Sequence, residues 1–212
     1  MKRIGRLHVL TDTALQNRFS HIQLAEMAIA GGADAIQFRQ KQGSTRELIE
    51  TACQMKELCT RAGVIFIVND RIDIAMASNA DGVHLGQDDF PILLARRFLG
   101  YDRIIGGSAG NISEAIRCVD EGADYIGFGP VYQTQSKDDA GPATGIMIMR
   151  QLIKEIHCPV IAIGGMNERN VPEIIGAGAH GIAVISAVCC AEDPEKAACI
   201  LKGALNHVSN IG

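Results

Sequence analysis

Residues 35 to 41 read Ala35-Ile36-Gln37-Phe38-Arg39-Gln40-Lys41 and hold the chain's clearest capacity for chemistry. The stretch falls where a buried strand is expected, and strand side chains alternate between faces. Gln37, Arg39 and Lys41 therefore share one face, and Phe38 takes the other. An amide and two cations aimed into an interior need a partner, because an unpaired buried charge is costly. An anionic ligand suits three polar groups facing one way better than a set of purely structural ion pairs.

Other polar groups follow strand-like runs in the same manner. Asn69-Asp70-Arg71 closes one run, and Asn and Asp there also suit helix capping. His84-Leu85-Gly86-Gln87-Asp88-Asp89 closes the next. A carboxylate from this segment and Asp70 on the adjacent strand could share a divalent cation. All-oxygen ligation suits Mg²⁺, which takes one or two carboxylates plus ligand phosphates. Spacing alone does not separate Asp88 from Asp89, and His84 reads as packing. Gly106-Gly107-Ser108-Ala109-Gly110-Asn111 allows either close backbone approach to a ligand or a tight turn. Gly129-Pro130-Val131-Tyr132 leads into the polar residues 133–139, a candidate lid. Ile163-Gly164-Gly165-Met166 and Val184-Ile185-Ser186-Ala187 lie where backbone N–H groups commonly hold a phosphate. Two anion sites result, one rich in cations and one built from backbone. Arg39, Lys41, Lys137 and a doubly charged cation against Asp70 and Asp89 leave a net charge of about +3. That matches a diphosphate at roughly −1.5 per phosphate.

The elements that would carry these groups alternate regularly. Strand candidates are Leu7–Thr11, Ala35–Arg39, Val64–Asn69, Gly82–Leu85, Ile104–Gly107, Tyr125–Phe128, Val160–Ile163 and Gly181–Ile185. Helical segments lie between them. Ile22–Ala30 ends at Gly31-Gly32, and a helix after Ser44 opens on a capping box with Glu47. Ser113–Glu121 and Asn170–Ala177 end at Gly122 and Gly178, and a last helix runs from Pro194 to about Leu205 behind Asp193 as N-cap. A short phrase recurs at the helix-to-strand joints: Ala30-Gly31-Gly32-Ala33-Asp34, Glu121-Gly122-Ala123-Asp124 and Ala177-Gly178-Ala179-His180, with Asn79-Ala80-Asp81-Gly82 as a degenerate copy. Eight strand–helix units predict a parallel eight-stranded (β/α)8 TIM barrel over residues 1–212 as a single domain. An open doubly wound sheet is the rival. It normally carries a G-x-G-x-x-G turn after the first strand, and Leu7–Thr11 is not followed by one.

Composition narrows the function. The chain has 212 residues, 47% hydrophobic and 21% charged, as in soluble globular proteins. A formal net charge of −4 argues against broad binding to nucleic acid or anionic membranes. No apolar run reaches the ~18 residues of a membrane span, and the N-terminus lacks a signal-peptide pattern. The seven cysteines are scattered without C-x-x-C spacing, which favours reduced thiols, mostly as core filler, in a cytoplasmic protein.

Taken in order along essentially the whole chain, the motifs resemble those of thiamine-phosphate synthases. They are Gln37-Phe38-Arg39-Gln40-Lys41, Asn69-Asp70-Arg71 with Asp73-Ile74-Ala75, Asp81 through Asp89, Gly129-Pro130-Val131-Tyr132 through Lys137, and Ile163-Gly164-Gly165-Met166. The resemblance implies a transferase that joins a hydroxymethylpyrimidine diphosphate to a thiazole phosphate, releasing diphosphate. It implies Gln37, Arg39, Lys41, Asn69, Ser108 and Lys137 as ligands of the pyrimidine diphosphate, with Arg39, Lys41, Lys137 and Ser108 catalytic. It assigns one Mg²⁺ per site to Asp70 and Asp89, and the thiazole phosphate to Thr134, Gln135, Ser136, Gly165, Ile185 and Ser186. The implied partners are the two small substrates, with no nucleic acid and no membrane; a homo-oligomer is compatible with the sequence. The implied chemistry is a dissociative substitution without a protein nucleophile.

Two departures and two rivals accompany the resemblance. Gly110 stands where many synthases have histidine, and Ser136 replaces a common threonine while keeping the hydroxyl. A thiazole tautomerase-like paralogue would carry a histidine at position 110 and lack the Asn69-Asp70 pair and the second metal aspartate. A non-catalytic barrel that binds thiamine precursors would have lost a cation or a metal carboxylate, and none is lost here.

Overall fold

The computed structural model describes residues 2–134, 136 and 141–209. Eight strands form: β1 Leu7–Thr11, β2 Ala35–Phe38, β3 Ile65–Asn69, β4 Gly82–Leu85, β5 Ile104–Ala109, β6 Tyr125–Phe128, β7 Val160–Ile163 and β8 Gly181–Val184. They pair in parallel in chain order, and β8 pairs with β1 to close the barrel. Parallel neighbours need a crossover, and helices supply it. These are α1 His21–Ala30, α2 Thr45–Ala62, α3 Ile72–Ala77, α4 Ile92–Leu99, α5 Ile112–Asp120, α6 Ile146–Glu155 and α7 Val171–Gly176. The short α8 Ser186–Cys189 and the long α9 Pro194–Ser209 follow β8. The architecture is the expected TIM barrel.

Three strand ends differ from expectation, and each difference bears on the site. β2 stops at Phe38, with the Arg39 N–H to Thr11 C=O bond (3.2 Å) as its last rung. Arg39 and Lys41 therefore belong to the loop above the strand. β5 runs on to Ala109 because Gly106–Ala109 pairs fully with Tyr125–Phe128, which places Ser108 inside the strand. β8 ends at Val184, so Ile185 opens the loop that starts α8.

The strands are buried on both faces and feed two cores. Val9, Ile36, Phe38, Phe66, Val68 and Ile126 pack outward against the helices. Leu10, Ala35, Ile67, Tyr125 and Ile161 pack inside the barrel. Phe38 thus faces away from Gln37, as strand alternation requires. Buried polar residues, among them His8, Gln37 and His84, sit with the inner group.

The recurring joint phrase has a physical basis. Gly32, Gly122 and Gly178 have φ of 92°, 103° and 102°, and Asn79 holds the same place at 54°. Glycine, and more rarely asparagine, adopts this left-handed region. The aspartate that follows latches the base of the barrel. Asp34 Oδ2 accepts the N–H groups of Arg6 (3.1 Å) and Leu7 (2.9 Å) and pairs with Lys202. Asp81 accepts Phe66 N–H (2.8 Å) and pairs with Lys56. Asp124 accepts Ile105 N–H (2.8 Å) and pairs with Lys2 and Arg96. In the fourth copy His180 bonds the Ile4 carbonyl at 2.8 Å instead.

The helix caps follow the same local logic. Ser44 and Glu47 form the expected capping box, and Ser20 with Gln23 forms a second one that starts α1 at His21. Asp193 caps α9 through Lys196 N–H at 3.0 Å. The thiols divide more evenly than expected: Cys59, Cys118 and Cys189 are buried, whereas Cys53, Cys190 and Cys199 are exposed. No helix among the described residues is long and apolar enough to cross a membrane.

Candidate active site

The loops above the C-terminal strand ends enclose a cavity of about 480 Å³, within the usual range for small-molecule sites. The loop after β2 contributes Arg39 and Lys41, the end of β3 contributes Asn69, and Asp70 follows it. Asp88 and Asp89 come from the loop after β4, Ser108 from β5, and Thr134 and Ser136 from the loop after β6. Gly165 follows β7, and Ile185 with Ser186 follows β8. These candidates thus converge on one space. Gln135 and Lys137 lie outside the described residues.

Gln37 does not line this cavity. Its side chain is 3% exposed and borders a small cavity beneath it. The two spaces are neighbours, since Ser108, Gly127, Ile163 and Ala183 border both. Gln37 Oε1 is buried without a hydrogen-bond partner among the described residues. Such an atom is unusual in a native core.

The cation-rich side has a partner that the sequence reading missed. Arg39 Nη1 donates to Asp12 Oδ2, and Asp12 is 2% exposed just beyond β1. The spacing gave no hint, because the pair is 27 residues apart and meets only through the β1–β2 register. The charge sum changes accordingly. Arg39 is already offset by a buried carboxylate that the sequence-based charge count left out.

On the β3–β4 side, Asp70 has a left-handed backbone, φ 63°, and its N–H bonds the His84 carbonyl at 2.8 Å. A non-glycine residue held there costs roughly 1–3 kcal/mol and usually serves a site. Asp89 Oδ2 accepts Gly86 N–H at 2.6 Å, which fixes the carboxylate, and Oδ1 has no partner among the described residues. Asp88 is exposed. No group of three or more His, Cys, Asp or Glu side chains among the described residues could hold a metal alone. Two carboxylates at one cavity fit a magnesium ion that takes its other ligands from phosphate and water.

His84 does more than pack. Its Nδ1 meets Tyr125 Oη and its Nε2 meets Ser108 Oγ, both at 2.9 Å. A Cβ at position 106 would fall 2.3 Å from the Tyr125 ring and 2.4 Å from His84 Nδ1, so Gly106 leaves the room this contact needs. Glu114 also lines the cavity and was not anticipated. Its carboxylate accepts Gly110 N–H (2.7 Å) and Asn111 Nδ2–H (2.7 Å), so it organises the loop after β5. Histidine and glutamate in helix- or strand-like runs carry no signal that separates such roles from core or surface.

The opposite rim is built from backbone and hydroxyls. Gly164 and Gly165 have φ of 97° and 68°, and Cβ atoms there would fall 2.6 Å from Pro130 and 2.7 Å from Tyr132. Only glycine satisfies both the conformation and the close approach. Ser136 Oγ meets Ser186 Oγ at 2.7 Å, and Thr134 Oγ1 meets Ser136 Oγ at 3.2 Å. Three hydroxyls from the β6 and β8 loops therefore cluster beside the first turn of α8.

Comparison with known proteins agrees with the geometry. Residues 7–188 match the family model described as thiamine monophosphate synthase. The chain is 50% identical over 201 residues to the thiamine-phosphate synthase of Methanocella arvoryzae, covering 95% of each chain. It is 48% identical over 193 residues to that of Chloroflexus aurantiacus, covering 91% of this chain and 89% of the relative. The solved thiamine phosphate pyrophosphorylase of Pyrococcus furiosus superposes with a TM-score of 0.88 at 39% identity, over 96% of both chains. Matched over nearly its full length in both sequence and fold, the chain belongs to the thiamine-phosphate synthase family and is an enzyme of that class.

Proposed function

We propose that the barrel mouth joins the two halves of thiamine phosphate, with the pyrimidine diphosphate bound on the β2–β5 side and the thiazole phosphate on the β6–β8 side. The observation that carries this is the convergence of Arg39, Lys41, Asn69, Asp70, Asp89, Ser108, Thr134, Ser136, Gly165, Ile185 and Ser186 on one cavity. Lys41 and Arg39, joined by Lys137, hold the diphosphate, and Asn69, Ser108 and Gln37 orient the pyrimidine. Gln135 joins Thr134 and Ser136 at the thiazole phosphate, beside Gly165, Ile185 and Ser186. Asp70 and Asp89 would hold one Mg²⁺, with Asp89 favoured over Asp88 because its carboxylate is already aimed by Gly86 N–H. When bound, the ion serves as Lewis acid and template for diphosphate oxygens.

The bond from the pyrimidine methylene to the diphosphate breaks first, and the aminopyrimidine spreads the positive charge. The thiazole nitrogen then attacks the methylene carbon. The protein's part is positioning and stabilisation of the leaving group, so no protein nucleophile is needed. Lys41, Lys137 and the Arg39 guanidinium meet negative charge as it develops. The hydroxyl cluster at Thr134, Ser136 and Ser186 holds the thiazole phosphate so that the ring nitrogen faces the methylene. We place the whole chain, residues 1–212, in one barrel domain acting in the cytoplasm.

The test is formation of thiamine phosphate from both substrates with Mg²⁺, read as thiochrome fluorescence. Product that depends on the metal and on both substrates supports the reading, and no product from the intact protein with all three refutes it.

A further inference from the structure

The Asp12–Arg39 pair invites a role beyond ligand binding. Thr11 and Phe38 are register partners across β1 and β2, so Asp12 and Arg39 leave their strands side by side. Asp12 is anchored before Arg39 reaches it: Oδ1 accepts Ala14 N–H at 2.8 Å and Leu15 N–H at 3.3 Å. That leaves Oδ2 aimed across the gap, where Arg39 Nη1 donates to it. The flanking residues are pinned as well. His21 at the start of α1 contacts Thr11 Oγ1 at 2.8 Å and Thr13 Oγ1 at 3.3 Å, and its ring packs edge-on to Phe38 at 4.8 Å. Asp12 does not line the main cavity, whereas Arg39 does. Arg39 Nε is buried without a partner among the described residues, so the guanidinium is held through its contact with Asp12 rather than enclosed by a full set of bonds.

We propose that Asp12 is a positioning residue that sets the orientation of the Arg39 guanidinium toward the diphosphate. The inference rests on the reading that Arg39 binds the diphosphate. An arginine side chain alone is long and rotamer-rich, and a planar donor group binds phosphate well only in the right plane. A carboxylate fixed by two backbone N–H groups removes that freedom before the substrate arrives. Asp12 also offsets the charge of Arg39, so Arg39 contributes chiefly hydrogen-bond geometry.

The test is a double-mutant cycle on steady-state kinetics in the full chain with Mg²⁺. Asp12→Asn keeps the shape and the Oδ1 acceptor but loses the anchoring charge. It is expected to lower kcat/KM for the pyrimidine diphosphate about ten- to a hundred-fold, the scale of a roughly 1 Å misplacement. KM for the thiazole phosphate is expected to stay within about twofold of native, because the side chain of Asp12 bonds Ala14, Leu15 and Arg39 and none of the proposed thiazole-phosphate residues. In an Arg39→Ala background the same substitution is expected to add little. An unchanged kcat/KM in Asp12→Asn, or the same fractional loss with and without Arg39, overturns the positioning role. Arg39→Ala alone separates the two claims: full activity there defeats the diphosphate reading and this inference together. Loss in Arg39→Ala without loss in Asp12→Asn defeats this inference only. Should Asp12→Asn not fold, ¹⁵N spectra of the Arg39 guanidinium in the native, ligand-free chain decide. Hindered rotation supports the role and free rotation overturns it.

Discussion

Asp89 meets the cavity with one oxygen held by Gly86 N–H and the other open. Asp89→Ala removes one of two proposed metal carboxylates. It should raise the Mg²⁺ concentration needed for half-maximal rate by at least about tenfold, the scale at which ligand-level changes cost metal affinity. Full activity at limiting Mg²⁺ would move the metal elsewhere. On the opposite rim, Ser186 shares its hydroxyl with Ser136. Ser186→Ala should raise KM for the thiazole phosphate about fivefold, the scale of one lost hydrogen bond. KM for the pyrimidine diphosphate should not change. Arg39, Lys41, Asp70 and Asp89, just beyond strand-like runs, were legible as candidates for the cavity they line. Asp12, His84 and Glu114 were not legible. Asp12 meets Arg39 and His84 meets Ser108 only once distant strands lie side by side, and Glu114 bonds Gly110 four residues away with nothing to mark it apart from a surface carboxylate.

At the scale of elements, the Asp34, Asp81 and Asp124 latches tie the start of one strand to the joint before the next. The repeat itself could be read as a helix-to-strand marker, but the reason for its aspartate could not. The acceptor serves a backbone N–H from the preceding unit, which a linear pattern does not display. Asp124→Ala should be more damaging than Asp81→Ala. It strips a partner from Arg96, which is 7% exposed, as well as from Lys2 and Ile105 N–H. Leaving a largely buried cation unpaired costs about 3 kcal/mol or more. Asp81, more exposed and paired with Lys56 alone, should lose clearly less. Urea midpoints of the two variants compare them directly. Strand order and helix placement were legible from periodicity and glycine punctuation. The ends of β2 and β5 were not, because pairing with a neighbour decides where a strand stops.

At the scale of the molecule, burial holds two histidines neutral. Desolvation lowers His8 and His21 from 6.5 to about 4. A base whose folded pKa is depressed contributes stability that is complete above about 6.5 and is lost as pH falls toward 4. Across that window the unfolded chain binds up to about two more protons than the native one. Asp34 adds to the loss at lower pH. Burial opposes its ionisation, but the bonds to Lys202, Leu7 and Arg6 outweigh it and keep the carboxyl below its usual range. Its stabilisation is present above the unfolded value and disappears as pH drops through the folded one. The urea midpoint should therefore fall steadily from pH 7 to 4, and a flat profile would show that these groups are hydrated in the native state. The central claim concerns where the leaving group rests. A crystal structure of the protein with diphosphate and Mg²⁺ tests it most directly. Diphosphate is expected at the barrel mouth against Arg39 and Lys41, with the ion held by Asp70 and Asp89. Diphosphate bound elsewhere, or a metal that avoids both carboxylates, would contradict it.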